Sequence, residues 1–455
     1  MSRGDSPVND ARFSADPLAD DTLTRLLAPW QGHTQWDAIA VVNREMARWE
    51  QNGQLESWGA SPGTPPHIAA ALEEYVHMAR HLPAWADAAR IERAENLFID
   101  ASMLSCTLLF CASLPECYVI PDLAAVLQAA GQLDKNTEYR IRSTAAMIFP
   151  VLMRGGMTTA QGSGVAQALK VRLIHATIRH LILRGSPADA MRQPQTLVPP
   201  LPAQADATLQ QTMWTLGWNV SRAGLPCNQE ELAYTLLTFH YIFLRALRKL
   251  GVGAGHENEE AYLHTWNVLG HVLGIERRLM VDTMEQARVM FEALQASGHA
   301  RGFAPDPRPE LGWALMRTMQ AYIPLRILKP FPVLLTRYLC GSPCQDDLAL
   351  TGRVSIFSRA AFVIVMGIIR GIDTIGRLVL PEFSLSRMLT RVVGYHMTVK
   401  LLMDQTRPLK LPDVLLNDVN SVTHSWHNDP KAPRWVNALE RYLTGRQEAA
   451  QRKAG

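Results

Sequence analysis

Two apolar segments in the first half of the chain decide how its fold is read. They are Tyr139–Thr144 (YRIRST) and Val171–His180 (VRLIHATIRH). In both, and in the residues around them, apolar side chains recur at the three- and four-residue spacing of a helix. The sequence therefore predicts two long helices here, near Thr137–Met153 and Gly164–Arg184.

Both predicted helices carry polar side chains that are unusual in a hydrophobic core. Arg140 and Thr144 are i,i+4 neighbours on one face of the first helix. Arg172, His175 and Arg179 follow at i, i+3 and i+7 on the second. If the two faces oppose each other, a histidine and several cations surround one cavity. An anionic cofactor with an axial ligand, such as haem, needs such an arrangement.

Almost all other periodic segments of the chain also have helical spacing, whereas strand patterns are weak and scattered. The further predicted helices are 36–49, 68–82, 97–114, 122–133, 228–250, 259–273, 284–296, 310–323, 357–372 and 385–403. We predict an all-α fold, a single large globin-like helical domain with long loops.

That domain is expected to span residues 26–443 and to bind the cofactor. Residues 1–25 and 444–455 are rich in charged, polar or small residues, and we predict that both are mobile tails. Residues 185–206 contain five prolines and are predicted to form a surface loop.

Composition excludes some classes of protein. Of 455 residues, 47% are hydrophobic and 19% charged, enough apolar residues for a sizeable core, and the net charge of +3 is too balanced to indicate nucleic-acid binding. The N-terminus lacks the apolar core of a signal peptide. The most membrane-like run, Ala360–Ile369, is followed by Arg370 and Asp373 and is shorter than the roughly 20 residues of a bilayer span. We expect a cytoplasmic protein without a transmembrane segment.

The six cysteines form no CxxC pair and no CxxCH motif. This argues against a structural zinc site, a redox dithiol and covalently attached haem. Cys340 and Cys344 could approach each other on one helix face, but we predict free buried thiols. Any haem is then expected to be bound non-covalently, as haem b.

The polar residues of the two helices also match a known pattern. The matching residues are Arg140, Ser143 and Thr144, and then His175 and His180. Their order and spacing resemble the latex-clearing proteins (rubber oxygenases) and the wider MpaB-type oxygenases, which have an Arg-x-x-Lys-Thr element followed by two histidines five residues apart. Further similar segments are Leu114–Tyr118, Asn228–Leu232, Trp266–Gly270 and Arg337–Gly341.

The resemblance implies a role for both histidines of the second helix. His175 would be the proximal haem ligand and the metal-binding residue. His180 lies about 140° further around the helix. It would lie beside the direct ligands or near the propionates, and would not bind the iron. Arg172 and Arg179 are not part of the matching motif, but they flank His175. This position predicts that they pair with the haem propionates, or else extend from a buried helix to solvent.

On the first helix, the resemblance implies that Arg140 and Thr144 polarise dioxygen on the distal side. Ser143 departs from the family, because latex-clearing proteins with a distal axial ligand have lysine there. Serine is too short and too weak a donor to bind the iron, so the sixth position is expected to be open, water-filled or closed by another residue. The family's acidic position falls on Ala124, with Asp122 and Glu138 the nearest acids.

The function implied is that of a haem b oxygenase. It would use O₂ as co-substrate to cleave carbon–carbon double bonds in an isoprenoid or other hydrophobic alkene. Two alternatives stay open: a helical haem-binding protein without turnover, such as a sensor or store, and a helical scaffold without cofactor. The sequence does not set the oligomeric state.

Overall fold

The computed structural model describes residues 11–27, 34–101, 103–131, 137–192, 197–202, 207–321, 323, 326–352, 354–364 and 366–367. The predicted helix 385–403 and the predicted C-terminal tail 444–455 lie outside these residues. So does the last part of the predicted domain, 368–443.

The described elements are almost entirely helical, which confirms the predicted all-α class. The α-helices are α1 Pro17–Leu27, α2 Thr34–Ala47, α3 Pro66–Ala79, α4 Ala88–Ala101, α5 Met103–Leu108, α6 Leu114–Cys117, α7 Pro121–Gly131, α8 Thr137–Leu152, α9 Gly164–Leu183, α10 Pro187–Arg192, α11 Leu209–Thr215, α12 Val220–Ala223, α13 Gln229–Lys249, α14 His256–Val272, α15 Met284–Arg301, α16 Arg308–Ala321, α17 Phe331–Cys340 and α18 Ser342–Asp347. Short 3₁₀ helices cover Asn52–Glu56 and Arg277–Leu279, and a π-helix covers Leu109–Ser113.

One two-stranded antiparallel sheet interrupts the helices of the described region. Strand β1, Leu197–Val198, pairs with β2, Trp218–Asn219. The predicted loop at 185–206 therefore needs correction, because it contains α10 and β1. Arg184 fixes the start of this segment by donating to the backbone oxygens of Trp214 and Pro199 at 2.9 and 2.7 Å.

Helix α13 lies at the centre of the described core. Asn228 caps its N-terminus by accepting a hydrogen bond from the Glu231 amide at 2.9 Å. Arg248 and Lys249 lie in its last turn, where a positive charge interacts favourably with the helix dipole. Most of its side chains are buried, and it packs against α6, α14, α15 and the π-helix. A helix buried nearly all round fixes the positions of its neighbours.

The two helices predicted to carry the site, α8 and α9, are confirmed to within one residue at each end. Helix α9 packs along α8 on one side and against α1 and α14 on others. Its last residue is followed by Arg184, whose φ of 54° is left-handed and ends the helix.

The predicted N-terminal tail also needs correction. Residues 17–27 form α1, which packs against α3 and α9. Leu23, Leu26 and Leu27 are buried there. Their 3–4 spacing gives this helix an apolar face, so burial of that face offsets the entropy lost on ordering the segment.

Among the described residues, no single helix has the length and hydropathy to cross a bilayer. The segments Leu109–Cys117 and Pro121–Ala129 meet those criteria only when taken together, and a bend of 108° separates them.

Candidate functional site

The turn between α8 and α9 is held by a residue distant in sequence. The Asn52 side-chain oxygen accepts from the amides of Val165 and Ala166 at 3.0 and 3.2 Å, which caps α9. Its side-chain nitrogen donates to the Gly156 carbonyl at 2.8 Å. Gly156 has no room for a side chain, because a Cβ would lie 2.1 Å from the Pro150 carbonyl oxygen. These contacts fix how α9 follows α8.

His175 lies near the middle of α9 and is half-buried. Its Nδ1 is buried and has no hydrogen-bond partner in the described part of the chain. Burial, together with the nearby Arg179 charge, lowers the pKa of His175 from 6.5 to about 4. The imidazole is therefore neutral at neutral pH. A neutral imidazole with an unsatisfied nitrogen has the chemistry of a metal or haem-iron ligand.

The two arginines beside His175 bind carboxylates of the N-terminal segment. Arg172 pairs with Asp16 through two hydrogen bonds, one of them from Nη2 to Oδ1 at 2.7 Å, and also donates to the Val272 carbonyl. Arg179 is fully buried, and its Nε lies 3.0 Å from Oδ1 of Asp20. Both guanidinium groups thus have carboxylate partners from this chain, whereas the sequence predicted haem propionates or solvent as their partners.

His180 belongs to the same buried group. It is fully buried, and its Nε2 lies 3.4 Å from Oδ1 of Asp20. Burial acts to raise the pKa of Asp20, but the His180 hydrogen bond and the Arg179 charge outweigh it and lower that pKa below its usual value. His180 therefore lies on the side of α9 that faces α1. This agrees with the prediction that His180 and His175 lie on different faces of the helix.

The residues predicted for the distal side lie on α8. Thr144 is half-buried, and Ala145 and Ile148 beyond it are buried. Arg140 and Ser143 lie on the same helix, and their side chains fall outside what the structure describes. Because α8 packs along α9, the structure brings the two elements that carry the motif together. The roles of these side chains stay predictions.

A buried acidic cluster near the start of α13 was not predicted from the sequence. Arg301 binds Glu230 at 2.8 Å and also forms an ion pair with the Asp122 carboxylate. Ala124, at the family's acidic position, is fully buried. Burial raises the pKa of Asp122 despite its arginine. From the sequence alone, the acids of this cluster could not be distinguished from the acidic residues that commonly occur at helix N-termini.

Glu231 is the most perturbed acid of this cluster. It is buried, and neither carboxylate oxygen makes a hydrogen bond of normal geometry within the described residues. Burial, and then the charge of Asp122, raise the pKa of Glu231 from 4.5 to about 8. The folded protein therefore holds a proton there that the unfolded chain releases near pH 4.5.

This proton predicts how stability depends on pH. Between about pH 4.5 and 8 the folded state binds the extra proton, so the free energy of unfolding should fall as pH rises. Glu231→Gln should remove this slope and stabilise the protein at pH 9 relative to wild type, by at most about 5 kcal/mol, since each pKa unit is worth about 1.4 kcal/mol. Urea unfolding at pH 5 and pH 9 measures this, with the exposed Glu257→Gln as control. Equal slopes in wild type and Glu231→Gln would contradict it.

Comparisons with known proteins agree with the predicted resemblance. Residues 101–371 match the family described as "ER-bound oxygenase mpaB/B'/Rubber oxygenase, catalytic domain". The chain is 23% identical over 351 residues to a rubber oxygenase of Streptomyces sp. (strain K30), covering 75% of this chain and 72% of that protein.

The fold is similar to that of a latex clearing protein solved in its closed state. The TM-score is 0.57 at 17% identity, and the match covers 92% of this chain and 91% of that one. The match to the family covers more than half of the chain, including α8, α9 and the central α13. The chain therefore belongs to the family of mpaB-type and rubber oxygenases.

Proposed function

We propose that the protein is a haem b-dependent oxygenase that uses O₂ to cleave carbon–carbon double bonds in an isoprenoid or other hydrophobic alkene. The observation that carries the proposal is His175, a neutral imidazole whose buried Nδ1 has no partner among the described residues. A buried polar atom without a hydrogen bond is costly, and metal ligation is one arrangement that offsets the cost. Membership of an oxygenase family supports an oxygenase function.

His175 would hold the haem iron in this protein. Arg172, Arg179 and His180 support it indirectly, because their bonds to Asp16 and Asp20 fix the rotation of α9 about its axis. To bind propionates as well, Arg172 and Arg179 would have to divide their hydrogen bonds between the propionates and the carboxylates of Asp16 and Asp20, or release these carboxylates. We therefore assign them first to orienting His175, with the propionate contact as the remaining prediction.

The distal roles follow the family resemblance. Arg140 and Thr144 would donate hydrogen bonds where negative charge develops on dioxygen, which is how fixed donors lower a barrier. Ser143, in place of lysine, would supply no strong ligand, so the sixth position would be open, water-filled or closed by another residue. Helix α8, which carries all three, packs along the helix of His175.

The reaction balances without a further reductant. One O₂ and one carbon–carbon double bond give two carbonyl ends, each with one oxygen atom. Haem, when bound, supplies the binding and activation of O₂, and the protein supplies orientation and exclusion of water. The name of the Streptomyces relative, a rubber oxygenase, favours a polyisoprene-like substrate. A hydrophobic chain with repeated double bonds fits this proposal best.

The test is oxygen consumption by the haem-loaded protein. We expect uptake of O₂ when an emulsified oligoisoprene is added. Mass spectrometry should find one ¹⁸O atom from ¹⁸O₂ in each of the two carbonyl ends that a cleavage creates, one on either fragment. A saturated hydrocarbon of the same length is the control substrate and should give no uptake. Haem binding without uptake would instead support the non-catalytic sensor or store, and a colourless protein that takes up no haemin would support the scaffold.

A further inference from the structure

Two cysteines and a glutamate meet at the contact of α6 with the turn between α17 and α18. Cys340 ends α17, Cys344 lies in α18 and Glu116 lies in α6. The two Sγ atoms and one carboxylate oxygen all lie within 4.8 Å of one another. We propose that these three side chains bind Zn²⁺ or another thiophilic divalent cation.

The local backbone explains why Cys340 faces this point. Pro115 has no N–H, so it cannot donate the usual α-helical hydrogen bond to the Cys111 carbonyl four residues earlier. A π-helix covers this stretch, and such turns are frequent at functional sites. The Cys340 Sγ lies 3.7 Å from the Cys111 carbonyl oxygen and 3.6 Å from that of Ala112. These contacts, together with the positive-φ turn at Gly341 (φ 89°), hold Cys340 close to Cys344.

The charges around the cluster suit a divalent cation. Two thiolates and one carboxylate carry three negative charges, which a divalent cation and the Arg245 guanidinium together neutralise. Arg245 donates to Oε1 of Glu116 at 2.6 Å, and Gln295 donates to Oε2 at 3.3 Å. Hydrogen bonds of this kind orient a ligating carboxylate and leave lone pairs for the metal.

The geometry is close to that of a zinc site. In tetrahedral coordination, with Zn–S near 2.3 Å and Zn–O near 2.0 Å, ligand atoms stand roughly 3.3–3.8 Å apart. Small side-chain rotations would bring atoms now within 4.8 Å to that spacing. The fourth position is left for water. Cys344 and Glu116 are buried while Cys340 is half-buried, which gives the ion a route from solvent.

Binding would require both thiols to lose their protons. The hydrogen bond with Cys340, followed by burial, raises the pKa of the Cys344 thiol well above its usual range. Since cysteine binds metals as thiolate, the cation must displace two protons per site. Metal affinity should therefore rise steeply with pH, a signature that non-specific surface binding to carboxylates lacks.

The test uses full-length protein that has been reduced with a phosphine and stripped with a chelator. Titration with Cd²⁺ should produce a thiolate-to-metal charge-transfer band saturating at one equivalent, and Zn²⁺ should abolish the band by competition. Cys340→Ser and Cys344→Ser should each weaken Cd²⁺ binding more than 100-fold, since losing even an outer-shell partner costs about 10–100-fold. Cys227→Ser, which alters another buried free cysteine, should bind as wild type does.

Absence of the charge-transfer band in folded wild-type protein would overturn the proposal. So would a band of equal intensity in Cys340→Ser, Cys344→Ser and wild type. Thermal unfolding in the presence of Zn²⁺ gives a second measurement: the Tm of wild type should rise, and that of folded Cys344→Ser should not. Because no residue of the haem proposal is involved, His175→Ala should still bind the metal.

Discussion

Replacing His175 with alanine is expected to abolish stoichiometric haem binding. Wild-type protein expressed with a haem precursor should show a Soret band, and His175→Ala should lose it, with haemin affinity reduced by a factor of at least about 100. The reason is that His175 stands at the position that the family resemblance implies for the axial ligand, and its buried Nδ1 has no partner among the described residues. Its pKa of about 4 leaves the lone pair free of protons over the neutral range.

The control must separate ligand loss from misfolding. His77→Ala changes a histidine exposed on α3 and should keep the full Soret band. Far-UV circular dichroism and the unfolding midpoint of His175→Ala should stay near wild type, since the imidazole nitrogen it removes has no partner in the described structure. A full Soret band in a folded His175→Ala protein would show that another residue binds the iron.

The two helices that carry the motif were readable from the sequence, and the reason is physical. Helices α8 and α9 have apolar residues at the spacing that buries one face, and proline and glycine residues follow them closely. Their predicted ends agree with the structure to one residue. For these two helices, class and boundaries depend on the local pattern, which a single sequence contains.

The partners of the polar residues were not readable in the same way. A buried arginine can bind a propionate, a carboxylate of its own chain or solvent, and the sequence pattern is the same for all three. Asp16 and Arg172 are separated by 156 residues, and nothing local links them. For the same reason the segment before residue 25 was predicted to be mobile, although the apolar face of α1 packs against α9.

The ion pairs of Arg172 and Arg179 affect which residues can bind the carboxylates of the cofactor. If Arg172 and Arg179 keep Asp16 and Asp20, the cofactor's carboxylates require other cations or solvent. Arg140, on α8, is the remaining arginine of the motif, and its side chain falls outside the described structure. The N-terminal segment would then act in cofactor binding through α9, because its carboxylates set the orientation of the helix that carries His175.

Asp20→Ala is therefore expected to destabilise the protein strongly. The fully buried Arg179 would keep its charge with no carboxylate opposite, a change that typically costs about 3–5 kcal/mol. Asp21→Ala is the matched control, since it removes the same side chain from an exposed position one residue further along α1. Urea unfolding of both variants at pH 7 measures the difference, and an Asp20→Ala protein as stable as Asp21→Ala would contradict it.

Two further measurements identify the cause of the loss. The pKa of Asp20 is lowered in the folded state, so the stability it contributes is present above the unfolded value of 3.8 and is lost as pH falls through the folded value. The gap between wild type and Asp20→Ala should therefore narrow in acid. Adding Arg179→Met to Asp20→Ala removes the unpaired charge and should recover part of the lost stability. If the double variant is no more stable than Asp20→Ala, the loss arises from packing of α1 against α9 instead of from the buried charge.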